Sequence, residues 1–240
     1  MLDKPITLSA TSLARVIRAE NIGEPHIALA PTASWQPRDA EHTADTRART
    51  EIQRLGGLDR RGRLDADLAA TLTLLCKPAV EFYGWLTTGD TTTSVLAAAT
   101  GRDAVLATRT GDTVHLRQAT PDDLPTLLVA QTPDVPPGRG NTVTLTSDDL
   151  PSPTHRGSPQ VRLAQRIAEL PTTGSGLLYT AIRDRLGRRQ AATHPLRYID
   201  TVHGRWLSHA RPGTGLTIAP ADHRALVTRL TDMHRTLTDR

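Results

Sequence analysis

The apolar positions of this chain change period along its length. After Ser9, Leu13, Val16 and Ile17 recur on one helical face, and Asn21–Ile22–Gly23 supplies a stop. "PHIALAP" is too short for a helix and is expected as an edge strand. Asp39 is the predicted cap of a polar helix with the stripe Ala40, Ala44, Ala48, Ile52 and Leu55, ended by Gly56–Gly57. From Asp65 a further helix presents Leu68, Leu72, Leu75 and Cys76, and Pro78 halts it. The period then shortens to that of strands. Residues 79–87, "TSVLAAA", "DAVLATR" and "TVHLRQ" are predicted strands, with "GDTT" and "TGD" as turns. A helix closes the series, with Thr120 as N-cap, Pro121 at its first position and Asp123 at its third.

The same order returns further on. Residues 159–170 predict a helix with Val161, Leu163, Ala164, Ile167 and Ala168 inward. "GLLYTAIRD", "HPLRYIDT", "GRWLSHA" and "LTIAP" predict four strands, with "RLGR" and "RPGTG" among the turns. The last helix is expected to begin with Pro220 at its first position and Asp222 at its third, with the stripe Leu226, Val227, Leu230, Met233 and Leu237. Gly101–Arg102 and Gly204–Arg205 open the third strand of each series, and "ATPDDLPTLL" answers "IAPADHRALV". The expectation is one α+β domain over residues 1–240, with quasi-two-fold repeats at 65–132 and 159–236. Each repeat is helix, four-strand meander, helix, and together they place an antiparallel sheet at the centre with helices on it. Residues 133–158, containing "TPDVPPGRGN" and "LPSPTHRGSP", read as the linker, with an extra strand at "TVTLTS".

Composition narrows the chemistry. Cys76 is the only cysteine, which leaves no disulfide within the chain and makes buried packing its expected role. No stretch approaches the ~20 apolar residues of a membrane helix, and "MLDKPITLSATSLARVI" does not read as a secretory signal, so a cytosolic protein is expected. The net charge is +4, but the arginines are interspersed with Asp and Glu, and the densest basic groups, at 60–63 and 183–189, are short. His203 and His209 lie six residues apart without an H-E-x-x-H motif or a cysteine pair, so no metal is expected. In "TGSGLL" Thr173 stands where a nucleophile elbow around Ser175 requires Gly. The Gly138/Gly140 and Gly213/Gly215 pairs form no phosphate-binding fingerprint, so no cofactor and no catalytic residue are assigned.

The chain has seven aromatic residues, and three of them, Phe82, Tyr83 and Trp85, fall in "AVEFYGWL". On a strand Tyr83 and Trp85 share a face with Glu81, whose charge opposes a phosphate groove, while Phe82 points the other way. Phe82 is assigned to the core. Tyr83 and Trp85 either lie under helices or line a face left for a partner.

The chain as a whole resembles the EspG family of secretion-associated proteins of actinobacterial type VII (ESX) systems. The resemblance runs collinearly over about residues 7–236, through "IGEPHIAL", "GGLDRRGRLDADLAATLTLLCKPAVEFYGWL", "GRDAVLATRTGDTVHLRQATPDDL", "PGRGNTVTLTSDDL" and the segment from "GSGLLYTAIRDRLGRRQ" to "PADHRAL". It implies a non-enzymatic cytosolic chaperone with a central sheet and a C-terminal helical bundle. The implied partner is the apolar helical tip of an export substrate, a PE/PPE-like heterodimer or a WXG100-like protein. It further implies contact through the sheet, the loop at Thr87 to Thr93 and the C-terminal helices. On these grounds Tyr83, Trp85, Thr87, Asp90, Arg205 and Arg224 are the expected partner-binding residues. The alternative from another class is a basic nucleic-acid-binding or regulatory module without catalysis, whose binding would fall steeply with salt.

Overall fold

The computed structural model describes residues 2–32, 38–146, 149, 158–211 and 215–239. The middle of the "RPGTG" turn (212–214) and most of "LPSPTHRGSP" lie outside the described residues. The strands are β1 (Ile6–Ser9), β2 (Val80–Thr88), β3 (Thr91–Thr100), β4 (Asp103–Thr110), β5 (Thr113–Gln118), β6 (Val143–Leu145), β7 (Thr172–Arg183), β8 (Arg189–Ala191), β9 (Leu196–Thr201), β10 (Gly204–Arg211) and β11 (Gly215–Pro220). The helices are α1 (Ala10–Ala19), α2 (Arg38–Arg54), α3 (Ala66–Cys76), α4 (Leu124–Val129), α5 (Pro159–Ala168) and α6 (His223–Thr238).

All the strands join one antiparallel sheet in the order β1-β5-β4-β3-β2-β7-β9-β10-β11-β6, with β8 on β7. Two four-stranded meanders therefore run outward from a central β2–β7 pair, and the short strands β1 and β6 close the two ends. Strand alternation sends β2 into two cores. Tyr83 packs with α1, α2 and α3, whereas Phe82 packs with α4 and α6 on the opposite face. On β10, Trp206 joins Ala164 and Ile167 of α5, and Leu207 joins α6. Register across β2, β7 and β9 puts α5 on the same face as α1–α3, but at the other end of the sheet.

The helix starts follow from local chemistry. Ser9, Asp65 and Ser158 each accept a backbone N–H with their side-chain oxygens as N-caps of α1, α3 and α5. At α6, Asp222 is itself the N-cap, accepting from the Ala225 N–H at 2.8 Å, and Pro220 ends β11 instead of opening the helix. "PHIALAP" is a turn and not a strand, because the His26 ring Nδ1 and carbonyl take up the N–H groups of Ala28, Leu29 and Ala30. Leu55 lies past the end of α2 and Ala168 of α5 faces outward, so both drop out of their expected stripes.

Arg205 corrects the sequence reading most sharply. Expected at a partner surface, it is wholly buried (0% exposed) on the α6 side of β10. Its Nε and Nη2 donate to the two Asp200 oxygens at 2.6 and 2.9 Å, Nη1 to Thr132 Oγ1 at 3.0 Å, and Nη2 also to the Pro133 carbonyl at 2.8 Å. The guanidinium lies 4.6 Å from the centre of the Tyr198 ring. Every face of this cation is occupied, and it ties the start of the 133–146 segment to β9 and β10. Arg102, its counterpart by sequence order, is exposed. Truncating one member of a buried pair strands the other charge, so Arg205→Ala should lose about 3–5 kcal/mol of stability in urea unfolding. Arg102→Ala should stay within about 0.5 kcal/mol of wild type.

Candidate functional site

On the face shared by α1–α3 and α5, the described helices leave the strands between them incompletely covered. Trp85 of β2 lies opposite Leu177 of β7, which lies opposite Arg197 of β9. In the next row Thr87 meets Ser175, and Ser175 meets Ile199. Trp85, Thr87, Ser175, Leu177, Tyr179 and Ile199 are partly exposed here, and Arg197 is exposed. Among the described residues the strip has a largely apolar and aromatic floor, interrupted by Thr87 and Ser175, with Arg197 as its one cation.

The aromatic platform is built by register. Tyr83 stacks on Tyr179 with ring centres 5.1 Å apart, and Trp85 stands edge-on to both, at 5.9 and 5.8 Å. Tyr83 is buried beneath the platform, and Trp85 is its partly exposed member. Gly84 sits between them, where a Cβ would fall 2.4 Å from the Leu177 carbonyl oxygen and 2.9 Å from Leu178 Cδ2. This glycine permits the close approach of β2 and β7. One rim is the loop around Ile27, which is 64% exposed. The loop is held by Ser94 Oγ donating to the Ala28 carbonyl and Arg109 Nη1 donating to the Ala30 carbonyl.

An ionic cluster anchors one end of the platform. Glu81 is buried on the Tyr83 side of β2; Arg189 of β8 donates to it through Nε at 2.6 Å and to the Tyr83 hydroxyl through Nη2 at 3.0 Å. His26 Nε2 lies 3.5 Å from the other Glu81 oxygen, and its ring meets Tyr83 edge-on at 4.8 Å. Burial raises the Glu81 carboxyl, but the hydrogen bond and charge of His26, together with the charge and hydrogen bond of Arg189, outweigh it and hold the group below 4.5.

Of the expected partner-binding residues, the structure brings Tyr83, Trp85 and Thr87 to this strip. The Thr87 hydroxyl is 3.0 Å from that of Thr92 across the β2–β3 hairpin, and Asp90 is exposed at the hairpin turn. Arg224 is exposed on α6, beyond the opposite face, and Arg205 is buried there. Tyr179, Leu177, Ile199, Arg197 and Ile27 were not singled out from sequence. For β7 the available signal was the alternation Ser175, Leu177, Tyr179, which gains meaning only once β7 is paired with β2.

Other chemistry is sparse. Ser175 lies within β7, and a Cβ at Gly176 would fall 2.3 Å from the Tyr198 ring, so the Gly-Ser-Gly stretch is read as strand packing. Among the described residues no group of three or more His, Cys, Asp or Glu could hold a metal ion, and no helix is long and apolar enough to cross a membrane. Burial pushes the Cys76 thiol up to about 11, against the opposing charge of Lys77, which keeps it protonated.

The Glu81 cluster carries a pH signature. A carboxyl whose folded pKa is depressed contributes stability that is present above its unfolded value of 4.5 and is lost as pH falls through the folded value. Glu81→Gln should therefore be less stable than wild type at pH 7, and its stability should fall less between pH 7 and the acid limb. Urea midpoints across that range measure both effects.

No curated protein matches the sequence. Among solved structures, the type VII secretion system chaperone EspG5 of Mycobacterium tuberculosis, determined in complex with the PE25–PPE41 dimer, superposes with a TM-score of 0.71. The superposition covers 98% of this chain and 97% of that one at 14% identity, a likeness of fold. The family model for EspG proteins matches residues 9–232, from the cap of α1 into α6, and the chain belongs to the EspG family.

Proposed function

We propose that this protein is a cytosolic, substrate-specific chaperone of a type VII (ESX) secretion system. It takes the apolar helical tip of a PE/PPE-like or WXG100-like export substrate onto the strip between α1–α3 and α5, keeps it soluble and delivers it for export. The observation that carries this reading is the half-covered aromatic floor of Trp85, Tyr179, Leu177 and Ile199 in a chain of the EspG family. A fold relative solved with a PE25–PPE41 dimer supports it. Neighbouring strands lie about 4.8 Å apart, so the floor spanned by β2, β7 and β9 is roughly 10 Å wide. That width matches one helix, about 10–12 Å across with its side chains.

The reading needs no catalytic step. Its energy comes from removing apolar surface of both partners from water, with rigid aromatic side chains as anchors. A nucleic-acid-binding module would need a run of free cations, and the basic groups read in the sequence are partly consumed internally. Arg63 pairs with Asp59, Arg188 with Asp184 and Arg189 with Glu81.

A tagged pull-down from the native cytosol at moderate and high salt, read by mass spectrometry, should retain a small helical export substrate at both. Recovery of nucleic acid alone, lost as salt rises, would favour the binding module instead. Against the substrate so identified, Trp85→Ala should bind about tenfold or more weakly while keeping a cooperative melt. Unchanged affinity would remove the strip from the binding surface.

A further inference from the structure

We infer that Arg197 is a specificity residue of the strip, and that the tip it accepts must carry a carboxylate beside its apolar side chains. This inference rests on the chaperone reading given above. Arg197 occupies the middle strand position between Leu177 of β7 and Ser208 of β10, in the same row as Trp85. It is exposed, and among the described residues no hydrogen bond or ion pair engages its side chain.

The two carboxylates carried by β2, β7, β9 and β10 are committed elsewhere. Asp200, on the same strand, points to the opposite face and is held by Arg205 through both oxygens. Glu81 is held by Arg189 and approached by His26. Among the described residues none supplies an anion to Arg197, and apart from Ser208 beside it the surrounding floor of Trp85, Leu177, Tyr179 and Ile199 is apolar or aromatic.

Covering this strip with a purely apolar helix would therefore bury an uncompensated guanidinium, a cost that opposes binding. A partner bringing Asp or Glu over that position offers two oxygens to the planar guanidinium fork and removes the cost. The strip thus discriminates by penalty as well as by attraction: it rejects apolar tips that lack an anion and tips that bring a second cation. A single cation on an aromatic floor also differs from the multi-phosphate stripe that a nucleic acid requires.

The test is selection from a displayed library of two-helix hairpins with randomised tip residues, run against wild type, Arg197→Glu and Trp85→Ala, each first checked for a cooperative melt. Wild type should enrich apolar tips containing Asp or Glu, and Arg197→Glu should enrich Lys or Arg at the same tip position. Hairpins selected on wild type should bind Arg197→Glu about tenfold or more weakly. If wild type and Arg197→Glu enrich the same apolar tips without charge preference, and Trp85→Ala loses them, the inference about Arg197 fails and the chaperone reading stands. If wild type enriches nothing that depends on Trp85, the strip is not the binding face and both fail.

Discussion

The pairing of β2 with β7 is the constraint on which the rest of the structure depends. Val80–Thr88 lies antiparallel to Gly174–Ile182 without a break in register, and this seam joins the two meanders into one sheet. Without it each half would end in a long unpaired edge, a surface that natural proteins avoid exposing. Because side chains alternate, a slip of one residue would exchange the faces of Phe82 and Tyr83. The two cores beneath them differ in shape and in polar partners, so the register is fixed from both sides. This accounts for the concentration of scarce aromatic residues in one strand. At Phe82 and Tyr83 the seam strand packs into a core on each face and needs bulk on both, and Gly84 provides the gap that lets the Leu177 carbonyl come close.

The approximate symmetry about this seam is broken where function is proposed. One end of the shared face carries α1, α2 and α3; the other, among the described residues, carries α5. The floor of β7 and β9 between them is left half-covered. A second break lies on the opposite face. Arg205 is sealed among Asp200, Thr132, Pro133 and Tyr198, while Arg102 remains in solvent. Among the described residues the second half has the smaller helical cover on the shared face, and a buried ionic clamp on the other face holds its β9–β10 hairpin.

Local signals in the sequence were sufficient for most elements. The side-chain caps at Ser9, Asp65 and Ser158 and the strand alternation through 79–118 place helices and strands close to where they form. What the sequence left hidden depended on pairing between distant segments. Tyr179 joins Tyr83 and Trp85 only through β2–β7 register, across a separation of almost a hundred residues. β8 is three residues long and lacks a periodic signature, yet it delivers Arg189 to Glu81. Arg205 reads as a surface cation because arginine is seldom fully buried. The signal against that reading was nearby: Asp200 stands directly opposite Arg205 in the β9–β10 hairpin, so a buried pair needed only that both faces of β10 be covered.

The ionic cluster at Glu81 bears on how an aromatic floor can serve as a binding surface while staying ordered. A partly exposed Trp on a loose platform would sample several packings, and a partner would have to fix one of them at an entropic cost. Here Tyr83, beneath Trp85, is held by Tyr179 on one ring face, His26 at an edge and Arg189 on its hydroxyl. Arg189 is in turn fixed by Glu81, two positions before Tyr83 on the same strand. The loop bearing Ile27 is tied down by Ser94, which lies opposite Trp85 in β3. The groups beneath and beside Trp85 are thus fixed by contacts made before any partner arrives. In the proposed binding mode, much of the ordering cost of the surface is met during folding, and the apolar contact that remains can go directly into affinity.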